Sequence, residues 1–487
     1  MEAGSAALVK ERRTARAQRR PLSAVLRASR SSPDLRVRGY AVPVCDALEW
    51  FAAQPSAERF YWERPDRSEA VVGSGAAWTC TLAGADRFER AAEAVAALRE
   101  RLVVEVEAKT EALSATTGPL LVGGFAFASD ESSRRWRGFP AGRLVLPERL
   151  LWCRDGHTWL WEVESMDNSG SLVASAAGLR KQRGVPEIPL SQPREEGADQ
   201  DFSARQFQHG NSAAFAIRSE RPPTEFCDLV SRARAAVRAA HCEKLVVARA
   251  CAFRQLAEID VVRTLSRLRA RYPNATLFAV GRGGRTFLGA TPEPLLRVEN
   301  GMLTSAAVAG TAPRGRTPEE DAAIAAALRE NKKEGEEHAA VVHFLREQVG
   351  RFCTSVEVPE APQLLRNAVL QHLHTPIVGW LRGGVSALEL LAALHPSPAV
   401  AGAPRGEALS WLRENENLDR GWYAGPVGWL QLNGEGDFVV ALRSALMDGA
   451  RARLFAGAGV VAGSDPEAEF GETRLKLSAL ADVLLEY

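Results

Sequence analysis

Apolar positions along this chain recur with two periods, near 3.6 and at 2, and the places where one gives way to the other mark its elements. Phe88, Val95, Leu98 and Leu102 keep the helical period, whereas Ala70-Val71-Val72 and Leu144-Val145-Leu146 read as strands. Gly123-Gly124-Phe125-Ala126-Phe127 reads as a strand whose glycines let a neighbour come close. The pattern sharpens from about residue 225. Phe226, Leu229, Val230, Ala233 and Val237 form a helical stripe that leads into a strand over Lys244–Ala250. Thr276–Val280 and Thr286–Gly289, on either side of Gly281-Arg282-Gly283-Gly284, predict a hairpin. Thr317-Pro318-Glu319-Glu320 predicts a capping box with proline at the first helical position, opening one long helix. No short repeat is present, and the strands do not alternate regularly with helices. The pattern predicts an α+β chain, an α/β sandwich of large antiparallel or mixed sheets flanked by helices.

Composition divides the chain further. Residues 1–38 carry ten Lys or Arg against Glu2, Glu11 and Asp34, with no apolar stretch of the kind a secretory signal needs. This start reads as an organellar transit peptide or an untethered basic tail, and the tail is the reading adopted here. Residues 39–180 then form the N-terminal part of the fold. Residues 181–224, rich in Pro, Gly, Gln, Ser and Glu, read as a linker or long surface loop, and 225–487 as the C-terminal region.

Bulk properties exclude several classes. The 487 residues are 46% hydrophobic and 25% charged, as in an ordinary soluble enzyme. A net charge of +1 gives no global attraction to nucleic acid or to a membrane surface. No apolar run approaches the roughly 18–20 residues that span a bilayer. The seven cysteines contain no CxxC pair, which argues against a zinc ribbon or a disulfide framework and fits a reducing, cytoplasmic setting.

Charged residues that break apolar patterns are the candidates for chemistry. In Phe455–Lys476 a small-residue turn, Ala456-Gly457-Ala458-Gly459, precedes a helical run in which Glu469, Glu472 and Lys476 share a face. Such a segment offers bare N–H groups to an anion and carboxylates to an oxygen-seeking cation such as Mg²⁺; the alternative is a solvated helix after a turn. Glu334 and Glu337 repeat the ExxE spacing on the capped helix, again either a metal face or a solvated one. Lys244 opens an apolar strand, so it is either an exposed end or a base projecting into a pocket. Glu293, between Pro292 and Pro294, is a positioned acid or a loop carboxylate. Arg443 interrupts the apolar strand Val439–Ser444 and needs an anion, from a substrate or from a structural ion pair. His338 is a support for such a site or polar surface, and His372 suits hydrogen bonding better than metal ligation.

Taken in order, EKLVVARA, FLGATPE, AVAGTAPRG, KKEGEEH, HLHT, LHPSPAVAGAP, DRGWYAGPVGW, ALRSA and AGAG…SDPEAEFGETRLK resemble the chorismate-utilising enzymes, most closely the isochorismate synthases. The resemblance is strong over about 220–487. VGGFAF, WRGFP and LVLPE extend it weakly toward the longer menaquinone-type members. It implies a Mg²⁺-dependent isomerase that converts chorismate to isochorismate for menaquinone, siderophore or salicylate synthesis. It implies Lys244 as the base that activates water and Glu293 as the acid that protonates the leaving hydroxyl. Glu337 and Glu472 match direct Mg²⁺ ligands, with Glu334 and Glu469 nearby or acting through water. Tyr423, Arg443, the backbone of Gly457, Ala458 and Gly459, and Lys476 match contacts to the substrate carboxylates, while Gly310, Thr311 and His372 line the pocket. Ala309 stands where amino-transferring members carry lysine, which leaves room for water and implies no amidotransferase subunit; a monomer is expected. Ser397 replaces the expected threonine and keeps its hydroxyl. Salicylate synthase, an anthranilate synthase component and a non-catalytic chorismate-binding protein are the alternatives.

Overall fold

The computed structural model describes residues 35–106, 118–129, 133–165, 215–367 and 370–486. Most of the basic tail therefore lies outside the described residues, but its last residues are not tail. They begin the strand Leu35–Val42, whose Leu35 and Val37 are buried, because apolar and basic positions alternate there. The proposed linker lies outside the described residues up to 214. Its end forms the strand Phe215–Ser219 and the start of the helix Pro223–Arg238.

Among the described residues the strands form a thirteen-stranded and a ten-stranded sheet. Neighbours are antiparallel except for Leu35–Val42, which pairs in parallel with Leu102–Val106. The expected N-terminal and catalytic parts are not separate layers. Thr276–Arg282 pairs with Arg59–Arg64 in the first sheet, and Pro426–Gln431 pairs with Leu120–Phe125 in the second. The predicted hairpin is present as Thr276–Arg282 and Arg285–Thr291. Its turn residues, Gly283 and Gly284, have φ of 57° and 78°, the left-handed pair that a two-residue hairpin requires.

The sheets pack face to face over a core in which Trp429 meets Trp62 and Trp152, with ring centroids 6.2 and 5.8 Å apart. Helices Ala47–Ala52, Val261–Arg271 and Pro466–Leu485 cover the outer face of the first sheet, and a second apolar cluster lies beneath them. Arg87–Arg99, Lys332–Gly350 and Ala387–Leu394 cover the second. The long helix expected from Thr317 is two helices, Pro318–Glu330 and Lys332–Gly350. Asn331 between them is extended, at φ −70° and ψ 111°, and its side chain accepts from Glu334 N at 3.2 Å, capping the second helix. Thr317 caps the first by accepting from Glu320 N at 3.2 Å; Glu320 closes on Arg316 N at 2.8 Å, so the box is not reciprocal.

A buried ion network fastens one sheet to the other. Arg64, in the first sheet, donates to Asp437, in the second, at 2.5 and 2.9 Å. Arg297 donates to Asp437 at 3.2 Å and to Glu69 at 2.7 and 3.1 Å. Asp437 has no solvent exposure. Removing one partner of a buried ion network strands the others without water. Asp437→Ala is therefore expected to cost about 3–5 kcal/mol, read as a lower denaturant midpoint, with Asp437→Asn losing less.

Candidate active site

The chain crosses between the sheets twice at one place. Arg285–Thr291 belongs to the first sheet and Pro294–Glu299 to the second, so Pro292-Glu293 is the link between them. Gly436–Val440 belongs to the second and Ser444–Asp448 to the first, so Arg443 lies in a link too and not inside a strand. The two links are laced together: Val440 N donates to Glu293 O at 3.1 Å, and Ala290 N to Arg443 O at 3.3 Å. Arg443 adopts a left-handed φ of 48°. Among the described residues no carboxylate pairs with its guanidinium, so the structural ion pair weighed for it is absent.

Glu293, Arg443, Gly310, Thr311, Glu337, His372, Tyr423, Gly457, Gly459 and Lys476 line one cavity. Burial pushes the Glu293 carboxyl up to about 7, although Lys244, Arg443 and Lys476 pull the other way. Lys244 is the first residue of the strand Lys244–Gln255 and is buried, not an exposed end. Its Nζ lies 2.9 Å from Glu337 Oε1 as an ion pair without hydrogen-bond alignment. Burial works against ionisation of Glu337, but Lys244, Lys476 and Lys333 together hold its carboxyl below the usual range.

Gly457-Ala458-Gly459 is not a turn. It belongs to the strand Arg451–Val460, paired with Lys244–Gln255 in the register Val246↔Gly459, Val247↔Ala458 and Ala248↔Gly457. Val246 N donates to Ala401 O and Ala248 N to Glu416, both away from this partner. Strand alternation then turns the polar groups of Gly457 and Gly459 away from the ladder, toward the cavity, and spends the Ala458 N–H on Val247. Lys476 Nζ confirms the direction by donating to Gly457 O at 3.0 Å. A Cβ at 459 would stand 2.3 Å from Glu337 Oε1, so any larger residue there would displace that carboxylate. Ala458 does not line the cavity.

Gly310, at φ 77°, sits at a register shift in the pairing of Met302–Pro313 with Leu370–Leu381. The shift lets Thr311 N donate to Glu334 Oε2 at 2.9 Å while Thr311 Oγ1 meets His372 Nδ1 at 3.0 Å. His372 is buried, its Nε2 has no protein partner, and burial with Arg443 and Lys476 drives its basicity well down, leaving a neutral ring. His338 is a support: Nδ1 lies 3.2 Å from Ala309 O, so it donates there, and Nε2 accepts from Thr375 Oγ1 at 2.7 Å. The Tyr423 ring stacks on Phe455 at 5.1 Å, and burial raises its hydroxyl to about 12.

Both ExxE faces reach this end of the molecule. Lys333 Nζ donates to Glu469 Oε1 at 2.6 Å and lies 3.4 Å from Glu334 Oε1, bridging the two helices. Lys476 Nζ holds Glu472 Oε1 at 2.5 Å. Burial and the adjacent carboxylates raise Glu334, and raise Glu469 to about 7. Glu469 Oε2 is buried without a partner. Among the described residues no three carboxylate, imidazole or thiol groups are gathered at metal-ligating spacing; lysines take up the carboxylate oxygens instead. The donor chemistry nevertheless suits a hard divalent cation: oxygen-only ligands, carboxylates that raise one another, and an orphaned buried oxygen.

Pattern reading had not singled out Val246, Ala399, Val400, Arg420, Ala424 and Leu442, which also line the cavity. The apolar ones resemble any core residue. Arg420 carried a signal, a charge inside an aromatic, glycine-rich run. It is buried, donates to Val400 O and Val246 O at 2.8 and 2.7 Å, and pairs with Glu416 at 2.6 Å.

The Glu293 carboxyl has a stability signature. Its folded value near 7 lies above the ordinary 4.5, so the native state binds the proton more tightly and the buried charge is destabilising at high pH. At about 1.4 kcal/mol per tenfold change in proton affinity, the cost is about 3 kcal/mol above pH ~7. Glu293→Gln is expected to match wild type below pH ~4.5 and to gain stability over it through pH ~7, measured by denaturant unfolding across that range.

The model of the family described as "Chorismate binding enzyme" matches residues 23–485. The salicylate biosynthesis isochorismate synthase of Pseudomonas aeruginosa is 36% identical over 460 residues, covering 93% of this chain and 90% of that protein. The isochorismate synthase MenF of Bacillus subtilis is 29% identical over 445 residues, 90% and 91% of the two chains. The solved structure of MenF, the menaquinone-specific isochorismate synthase of Escherichia coli, superposes with a TM-score of 0.70 at 25% identity, over 93% of this chain and 95% of that one. A two-sheet fold shared with a solved relative, a cavity at the links between the sheets and matches over about nine-tenths of the chain converge on one assignment: the chain belongs to the chorismate-binding enzyme family.

Proposed function

We propose that this protein is an isochorismate synthase, which isomerises chorismate to isochorismate reversibly. The observation that carries the reading is a buried, readily protonated carboxyl, Glu293, in the same cavity as Glu337 and as Arg443, which has no carboxylate partner among the described residues; Lys244 does not line that cavity but stands 2.9 Å from Glu337 Oε1. In the forward direction water adds at C2 of the ring, both ring double bonds shift by one position, and the C4 hydroxyl departs. Lys244 takes the proton of the attacking water, and Glu293 delivers one to the leaving oxygen. Two protons move, one water enters and one leaves, so the reaction is an isomerisation. In reverse the two residues exchange roles.

Chorismate is a dianion, and the cavity answers with Arg443, Lys476 and the N–H groups of Gly457 and Gly459; His372 Nε2 and Tyr423 offer further polar contacts. Mg²⁺ fits the donor set described above, with Glu337 and Glu472 as ligands and Glu334 and Glu469 behind them. When bound it would neutralise substrate carboxylate charge. Ala309 lines the cavity, and a longer side chain at this position would take up room that water needs, which supports water rather than ammonia as the nucleophile. All seven cysteines are free, in keeping with a reducing cytoplasm, and among the described residues no helix is long and apolar enough to cross a membrane. The protein would act as a monomer without an amidotransferase subunit, supplying menaquinone, siderophore or salicylate synthesis.

Incubation with chorismate and Mg²⁺ followed by product separation tests the reading. Isochorismate as the product supports it; salicylate with pyruvate, or anthranilate with ammonia, would replace it. Lys244→Ala and Glu293→Gln are each expected to lower kcat by at least about a hundredfold with folding retained by circular dichroism. Near-wild-type turnover by either variant removes that residue's role. Glu472→Gln is expected to weaken Mg²⁺ binding in calorimetry, and wild-type turnover that survives chelation would remove the metal.

A further inference from the structure

Beyond Arg443 lies a second and larger cavity of about 450 Å³. Pro292 and Arg443 line both it and the catalytic cavity. Arg271, Arg314 and Arg366 stand on its other walls, and among the described residues no aspartate or glutamate lines it. The carboxylates that steady these arginines sit behind the walls. Asp482 and Glu486 hold Arg271 at 3.3 and 3.1 Å, and Asp321 takes Arg314 at 2.7 and 3.0 Å. Arg366 reaches the same Asp321 only at 3.6 Å, so one carboxylate serves two guanidiniums. Arg443, shared with the catalytic cavity, has no carboxylate partner among the described residues.

The four guanidiniums are thus unevenly compensated. Arg314 and Arg271 are compensated, Arg366 is incompletely compensated, and Arg443 is uncompensated where the cavity meets the catalytic one. Clefts lined by one sign of charge concentrate ligands of the other sign and raise their capture rate. Guanidiniums also match carboxylates in shape. Structural pairing alone explains Arg314 but leaves the convergence of Arg366 and Arg443 on one open volume without a reason.

We infer that this arginine-lined cavity is an antechamber that captures a small dicarboxylate from solution and passes it to the catalytic cavity by way of Arg443. The inference rests on the proposed reading in that the dicarboxylate is chorismate. Its contribution lies in capture rather than chemistry, so its loss shows in kcat/KM more than in kcat.

The test compares full-length wild type, Arg366→Glu, Arg271→Glu and Arg254→Glu, turning over chorismate with Mg²⁺ at several ionic strengths. Arg254 is exposed near the far end of the strand Lys244–Gln255, and its reversal makes the same change in net charge. Arg366→Glu is expected to lower kcat/KM about tenfold at low salt, with kcat within about twofold and the gap closing as salt screens the charge. Arg254→Glu should follow wild type. Equal kcat/KM for wild type, Arg366→Glu and Arg271→Glu would overturn the antechamber while leaving isochorismate synthesis intact, as would an equal loss in Arg254→Glu. Wild type that does not consume chorismate would instead overturn the proposed function, and the antechamber for this substrate with it.

Discussion

Two sheets that share a core must also share chain, and here the sharing is concentrated at adjacent crossings. A strand that leaves its sheet gives up ladder partners, so the crossing residues need other hydrogen bonds. These crossings find them in each other, through Val440 N to Glu293 O and Ala290 N to Arg443 O. Glu293 and Arg443 therefore sit on main chain fixed from both sheets, although neither is in a strand. The left-handed backbone at Arg443 is held in the same way. Opposed charges can face one cavity without collapsing onto each other because the backbone, not the side chains, sets where they begin.

Around the crossings, burial and charge are balanced closely. Lysines 244, 333 and 476 each meet a carboxylate from an ExxE face, while among the described residues Glu293 and Arg443 have no counter-ion at contact distance. Buried groups left in that state are costly, and proteins keep them where a ligand completes them. The pocket is in this sense an unfinished electrostatic network. Structural ion pairs such as Arg420–Glu416 and Arg64–Asp437 are finished, with their donors and acceptors met inside the protein.

Much of this was legible in the chain. Alternation and helical stripes located the hairpin at 276–291 and the helix ending at Arg238, and motif order grouped residues of which ten line one cavity, whereas Lys244, Glu334, Ala458, Glu469 and Glu472 do not. Local pattern misplaced residues whose setting is made by distant partners. For Lys244 local pattern could not choose between an exposed strand end and a pocket, because its ion-pair partner Glu337 lies far along the chain. Gly457-Ala458-Gly459 looked like a turn because small residues carry no period; their smallness answers to the Glu337 carboxylate and the Tyr423 hydroxyl pressing on the strand. Arg443 looked like a strand residue because Val439 to Leu442 is apolar throughout, and hydropathy does not record a change of sheet. The break at Asn331 had a local sign, Asn followed three positions later by Glu, but the charged run around it preserved a helical composition.

That break has a geometric effect on how the fold tolerates change. In a continuous helix each added residue turns everything after it by about 100°, so an insertion anywhere upstream would swing Glu334 and Glu337 off their face. The extended residue at Asn331 ends that dependence, and the second helix takes its azimuth from its own cap and from the sheet below it. Residues 318–330 are thereby free to gain or lose a turn without re-aiming the carboxylates. The length of the surface helix and the direction of the acidic face are independent variables, joined at one asparagine.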